Sequence, residues 1–321
     1  MVEGSQVARS KRIQRRTGKT FHVATRLLPE DIRHPTYVLY GFFRIADEVV
    51  DAEETAPPPE QRAELDRLRR AALGEEPTDD PVLDAFASVR AERGIADEDV
   101  HAFVDAMESD IDTDRYETYA DLEAYMDGSA AAVGRMMTAI MDLDEEAEAT
   151  ALPHATKLGE AFQMTNFLRD VREDVVERDR IYLPLATLRR HGVSEEQILN
   201  LEFDDDVAAA IRAELARTER LYETGVAGIK YLPEECQLAV LLAAVLYADH
   251  HRLIRNLGYD TVSTTPELSL TRKLSLLVRT RWKWQWNNDP ERVFYAMSHG
   301  FDRDHSQHGH GRHDPTALRT D

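Results

Sequence analysis

The chain has 321 residues, 42% of them hydrophobic, with 60 acidic side chains against 39 basic ones and a formal charge of −21. That balance excludes a general nucleic-acid binder, which recruits phosphate backbones through cations. Lysine is scarce, 6 against 33 arginines, and an acidic, lysine-poor surface is what a halophile's cytosolic protein is expected to show, because brine shortens the Debye length to about 3 Å at 1 M and screens the self-repulsion.

In chain order, residues 1–16 form a basic arm carrying Arg9, Lys11, Arg12, Arg15 and Arg16. No apolar run follows it, so it is not read as a signal peptide. A long apolar segment runs to the prolines at 57–59, and Gly74, Pro77 and Pro81 bound a short charged one. From Asp97, the expected N-cap, Val100, Phe103, Val104, Met107 and Ile111 mark one face of an amphipathic helix, and Ile211, Leu215 and Tyr222 repeat the pattern. The longest uninterrupted apolar run, 238–248, has 11 residues. A membrane span needs about 20, so a soluble or peripheral cytoplasmic protein is expected, and the single cysteine, Cys236, allows no intrachain disulfide. No alternating apolar–polar window and no internal repeat is found. The expected architecture is all-α, about ten helices in one domain over residues 17–298. A tail at 299–321, with His305, His308, His310 and His313 and no apolar face, is expected to be disordered.

Two segments combine apolar and acidic character. In residues 37–51 ten of 15 side chains are apolar, and Tyr40, Arg44, Asp47 and Asp51 fall at i, i+4, i+7 and i+11, one stripe of a helix. Gln163, Asn166, Asp170 and Asp174 repeat this at i, i+3, i+7 and i+11 among Phe162, Met164, Phe167, Leu168 and Val171. Acidic pairs are cheap in so acidic a chain. Charges on an apolar helix are not, because a buried charge must be paired or bind a metal. Mg²⁺ binds through one or two carboxylates plus substrate phosphates, so two such stripes could hold a diphosphate between them. The alternative is that their acids pair with Arg44, Arg169 and Arg172.

YGFFRIADEVVD (40–51) resembles the first aspartate-rich motif of the squalene/phytoene synthase family. QMTNFLRDVRED (163–174) resembles the second, and RIYLP (180–184) the Arg-x-Tyr-x-Pro that follows it. KTFHVATRLLPE (19–30) is similar to the family's N-terminal Ser-x-Ser-Phe region, and YMDGSAAAVG (125–134) to the helix beside its chain tunnel. The resemblance implies an all-α isoprenoid-synthase fold with a central cavity, and head-to-head joining of two prenyl diphosphates through a cyclopropylcarbinyl diphosphate. It implies Mg²⁺, with Mn²⁺ as a possible substitute, held by Asp47, Asp51, Asp170 and Asp174 with Asn166, Gln163 and Glu173 in support. Arg44, Arg169 and Lys19 would meet diphosphate oxygens, with Thr20 keeping a hydroxyl before Phe21. Tyr40, Phe21 and Tyr125 would line the reacting carbons, and Tyr182 and Tyr259 would support diphosphate or cation.

Within the family, DEVVD is closer to phytoene synthases than to squalene synthases, and the small residues Gly128, Ser129, Ala130 and Ala131 suit a deep tunnel for a C20 chain. Phytoene formation from two geranylgeranyl diphosphates is therefore expected, without NADPH. Squalene or dehydrosqualene formation from farnesyl diphosphate is the alternative, and a catalytically silent partner of another prenyl enzyme is the competing class.

Residues 268–286 contain no acid, five cations (Arg272, Lys273, Arg279, Arg281, Lys283) and all three tryptophans, Trp282, Trp284 and Trp286. Trp beside cations suits a membrane interface. The plainer expectation is a terminal helix that packs its Trp side chains into the core and turns Arg272 to the diphosphate.

Overall fold

The computed structural model describes residues 23–52 and 56–298. The basic arm, Lys19, Thr20, Phe21 and the histidine-rich tail lie outside the described residues. The described elements are α1 (Glu30–Asp51), α2 (Pro58–Leu73), α3 (Pro81–Arg93), α4 (Asp97–Ser109), α5 (Tyr119–Met126), a π-helical turn (Asp127–Ala131), α6 (Ala132–Ile140), α7 (Glu145–Arg169), α8 (Val171–Arg178), α9 (Leu185–Arg190), α10 (Glu195–Leu199), α11 (Asp205–Ala227), a 3₁₀ turn (Ile229–Tyr231), α12 (Glu234–Asn256), α13 (Leu270–Trp286) and α14 (Pro290–Met297). The fold is all-α. The surplus over ten helices comes from short pieces such as α9 and α10, too brief to show a period.

Local chemistry sets the helix ends. The prolines at 57–59 start a helix rather than merely ending one: Pro57 is the N-cap of α2 and Pro58 its first residue, where a missing N–H costs nothing. Gly74 closes α2 at φ 75°, the left-handed cap that glycine adopts without strain. Asp97, expected as an N-cap, is instead the first residue of α4, and the cap is Ala96 with no side-chain bond. Asp97 pairs with Arg90 of α3. Thr118 and Asp121 form a reciprocal capping box on α5, and the Asp144 carboxylate accepts from the Ala147 N–H to start α7.

The 25-residue α7 is the central element, packed against α11, α6, the π-turn and α12. Glycines permit the closest approaches. A Cβ on Gly159 would lie 2.5 Å from the Ala130 carbonyl oxygen, and one on Gly128 would lie 2.1 Å from that of Ala102. Gly128 therefore serves the contact between the π-turn and α4. Ser129 and Ala130, rather than Gly128, border the large cavity described below.

Helix α13 departs from the expectation that all three tryptophans pack inward. Trp284 packs against the cluster built on α11, α12 and α14, but Trp282 and Trp286 are 60% and 78% exposed. No described helix is long and apolar enough to cross a membrane.

Candidate active site

Helix α1 buries Val38, Leu39, Phe42 and Ala46 in the core and turns Tyr40, Arg44, Asp47 and Asp51 toward a cavity of about 1290 Å³. The second stripe reaches the same cavity: Gln163, Asn166, Asp170 and Asp174 all line it. It is not one straight helix. Asp170 leaves helical geometry at φ −101°, ψ 15°, so α7 stops and α8 begins across it. Thus Asp170 sits at the break and Asp174 one turn beyond it, joined by the Asp174 N–H to Asp170 carbonyl bond of 2.8 Å.

Burial works against the charge of these acids. Burial raises Asp47 above the usual carboxylate range against the pull of Arg44. Burial, reinforced by Asp170, pushes Asp174 up to about 8 despite Arg178. Arg44 pairs with Asp47, and Arg169 donates to Asp170 from Nε at 2.7 Å, as the ion-pairing alternative required. Among the described residues the Arg172 side chain makes no ion pair or hydrogen bond; its N–H donates to the Thr261 carbonyl. Two other arginines do: Arg178 Nε lies 3.1 Å from Asp51 and its Nη1 3.5 Å from Asp174, and Arg180 Nη1 lies 3.1 Å from Asp51.

Arg180 leads to a buried aromatic group. Its Nη1 donates to the Tyr182 hydroxyl at 3.3 Å. Tyr182 stacks on Phe167 with centroids 3.9 Å apart, and Tyr125 and Tyr116 complete the cluster. The Tyr125 hydroxyl donates to Asp110 Oδ2 at 3.0 Å. Burial pushes Asp110 up to about 7, opposed by Arg180 and by that hydrogen bond, and its other oxygen has no hydrogen-bond partner. Burial also raises the Tyr125 and Tyr182 phenols, which stay neutral.

The remaining lining is largely apolar, with Phe43, Phe103, Met107, Ala130, Val133 and Phe162 among it. Phe162 stacks on Tyr247 at 4.5 Å. A second, almost wholly apolar cavity of about 120 Å³ shares Val133, Met137, Gly159 and Phe162 with the first. The site therefore joins a polyanion-binding chemistry to space for hydrocarbon.

Of the seventeen residues proposed from sequence, twelve line this cavity and three lie outside the described residues. Two are placed elsewhere. Tyr259 sits at φ 71° after α12, under the Arg212 guanidinium at 4.6 Å, within the cluster around α9–α11. Arg272 is held by Asp249, at 3.0 Å from Nε and 2.5 Å from Nη2. Burial acts against the Asp249 charge, but Arg272 and Arg252 hold the carboxyl below its ordinary range, so Arg272 is committed to a buried pair. Sequence reasoning missed Asp110, Arg178, Arg180, Tyr247 and His250, all of which line the cavity. Burial and Arg169 push His250 down to about 3, so its imidazole is neutral. Of these only Arg180 carried a signal, as the first residue of RIYLP.

Among the described residues no three carboxylates or histidines converge as a ready-made metal cage. The donor set still fits a hard divalent cation. Its ligands would be carboxylate oxygens, two of them raised chiefly by burial, and Mg²⁺ completes its shell with water and phosphate oxygens rather than with protein alone.

An all-α bundle with two acidic stripes on one large cavity, lined by arginines and by apolar side chains alike, is the arrangement expected of a prenyl synthase. The squalene/phytoene synthase family model matches residues 14–279, and the chain belongs to that family; it is a prenyltransferase. It is 33% identical to the phytoene synthase of Rhodobacter capsulatus over 273 residues, 83% of this chain and 78% of the relative. It is likewise 33% identical to that of Thermus thermophilus over 83% and 89% of the two chains. The presqualene diphosphate synthase of Rhodopseudomonas palustris is 38% identical, but over only 55% of this chain. Among solved structures, a dehydrosqualene synthase in complex with ligand superposes with a TM-score of 0.78 at 27% identity, covering 88% of this chain and 98% of that one.

Proposed function

We propose that the protein is a phytoene synthase that condenses two geranylgeranyl diphosphates head to head, releasing two diphosphates and a proton. The carrying observation is the meeting of both aspartate stripes on one cavity of about 1290 Å³, larger than the roughly 300–1,000 Å³ of ordinary small-ligand pockets. Relatives named phytoene synthase at 30–34% identity over most of the chain support the same reading.

Asp47, Asp51, Asp170 and Asp174, with Asn166 and Gln163 beside them, would hold Mg²⁺, or Mn²⁺ in its place. A bound Mg²⁺ supplies charge to the departing diphosphate. Arg44 and Arg169 orient diphosphate oxygens through their planar forks. Tyr40, Tyr125 and Tyr182 present aromatic faces to cationic carbon, a favourable quadrupole contact, and the apolar walls exclude water that would capture the cation. The C20 preference rests on DEVVD and on the small Ser129 and Ala130 at the cavity wall. The catalytic unit spans 17–298. The enzyme works in the cytoplasm, touching the inner face of the cell membrane through 268–286.

The test is incubation with farnesyl or geranylgeranyl diphosphate and Mg²⁺, with and without NADPH, followed by chromatography of the hydrocarbon. A C40 product with a central double bond, independent of NADPH, is expected. A C30 product would overturn the substrate assignment, and no diphosphate release would overturn the reaction.

A further inference from the structure

Helix α13 carries five of the eight large apolar side chains that stand exposed among the described residues: Leu270, Leu274, Val278, Trp282 and Trp286, from 52% to 78% exposed. Each is four residues from the next. A step of four turns about 40° beyond a full circle, so all five fall within about 80° of Val278 and occupy the outward half of the helix. The inward half buries Leu276 and Thr280 and packs Leu277 and Trp284 on the neighbouring cluster. A surface helix ordinarily turns polar residues outward. This one turns five large apolar side chains outward, with only the polar Thr271, Ser275 and Gln285 and the cationic Arg279 and Arg281 exposed among them.

The charge at this face is equally unusual. Arg279 and Arg281 flank the stripe, exposed, and neither makes an ion pair among the described residues. No acid occurs from 268 to 286, in a chain of net charge −21.

The ends of the stripe connect to cavities. Leu270 is 71% exposed and also lines the large cavity with Leu268 and Lys273, so it stands at the rim. At the other end Trp282 and Trp286 form a groove of about 260 Å³ with Lys283 and Arg292.

We propose that α13 lies flat in the headgroup region of an anionic bilayer, its outward stripe in the acyl boundary, with the cavity rim at Leu270 opening to lipid. The helix is about 24 Å long from Leu270 to Trp286, Trp and Arg suit the interface, and unpaired arginines meet anionic headgroups. A two-fold contact with a second copy through this face would bring two acid-free cationic stripes together. This surface rests on the prenyl reading for its purpose, since isoprenoid substrate and product are both lipid-soluble. Its binding is measured without turnover.

The test is co-sedimentation of the full chain with vesicles of phosphatidylglycerol and phosphatidylcholine, and with phosphatidylcholine alone, for the parent and Val278→Glu/Trp282→Glu. The parent is expected to partition onto anionic vesicles at least ten-fold more strongly than onto neutral ones. The variant should lose at least ten-fold of that while keeping its turnover of detergent-dispersed substrate. Undiminished binding by the variant would overturn the proposal, as would a parent that stays in solution as a dimer which the variant dissociates. Absence of product in detergent, with vesicle binding intact, would count against the prenyl reading and not against the surface.

Discussion

Arg178 and Asp51, 127 residues apart in the chain, meet in a 3.1 Å ion pair, and the same guanidinium reaches Asp174 at 3.5 Å. One cation thus bridges both aspartate stripes where repulsion would otherwise part them. Removing Arg178 takes away the ion-pair partner of Asp174 among the described residues, while Asp51 keeps Arg180 at 3.1 Å, and a buried carboxyl that loses its cation costs stability. Arg178→Gln is therefore expected to destabilise the chelator-treated protein by about 2 kcal/mol. Mg²⁺ with pyrophosphate should recover most of that loss, because the added cation takes over the bridging role. Thermal unfolding under both conditions checks this, and an equal loss in each would mean that Arg178 is only a packing residue.

Asp47→Asn and Asp170→Asn keep the shape of each side chain and remove its charge. If these carboxylates share the metal and the diphosphate, turnover should fall at least about 100-fold, an effect of the size seen when one electrostatic stabiliser is deleted. The helical signal in far-ultraviolet circular dichroism should be unchanged, since neither residue supports the core. Turnover within a few-fold of the parent would remove both from the site.

The stripes were legible because helical spacing puts i, i+3, i+4 and i+7 on one side whatever the tertiary structure does. Tyr40, Arg44, Asp47 and Asp51 thus reach the cavity together on α1. Their partners were not legible. Arg180 meets Asp51 across 129 residues and the Asp110 carbonyl across 70, and no local period encodes such a meeting. Asp110 reads in sequence as one more acid after an amphipathic helix; only burial beside Tyr125 distinguishes it. Arg272 shows the opposite error. Its basic neighbourhood suggested a diphosphate, but Asp249, the residue that ends the apolar run of α12, claims it. The bend at Asp170 was likewise invisible, because the stripe's spacing survives it.

Asp110 gives the metal-free protein a particular pH dependence. Its carboxyl keeps a proton to about pH 7 when folded and to about pH 4 when unfolded. Between those values the folded chain binds more proton, so stability falls as pH rises through the window and levels off above it. At about 1.4 kcal/mol per tenfold change in proton affinity, the ceiling for this one site is on the order of 4 kcal/mol. His250, neutral in the fold down to about pH 3, contributes an opposite slope that ends near pH 6.5. Asp110→Asn, which still accepts from Tyr125, should therefore gain stability relative to the parent as pH rises from 5 to 8, measured by urea unfolding at each pH. A constant difference across that range would contradict the assignment.

Ala130 borders the cavity from the π-turn and is itself covered by Gly159 of α7. Ala130→Phe places a ring where hydrocarbon is proposed to lie. The kcat/KM for geranylgeranyl diphosphate should drop at least ten-fold, and that for farnesyl diphosphate by less, so that the ratio of the two falls. Equal losses would show that this wall does not read chain length.

Salt should stabilise this protein, and the sign follows from two opposing sets of charges. Exposed pairs such as Arg67 with Glu64 and Arg189 with Glu117 weaken as ions screen them, each worth at most about 1 kcal/mol. Against them stands the net charge of −21, whose mutual repulsion runs over the whole surface and is removed by the same screening. Because the acids outnumber the cations 60 to 39, relief of repulsion is the larger effect once the pairs are counted. The unfolding temperature should therefore climb by several degrees between 0.1 and 2 M KCl, most steeply at the low end, where the Debye length shrinks from about 10 Å toward 3 Å. NaCl should act as KCl does at equal ionic strength, whereas sucrose at equal osmolality should miss the steep initial rise. An unfolding temperature that is flat or falling with salt would mean that the acidic surface is already balanced by its arginine pairs and carries no adaptation to brine.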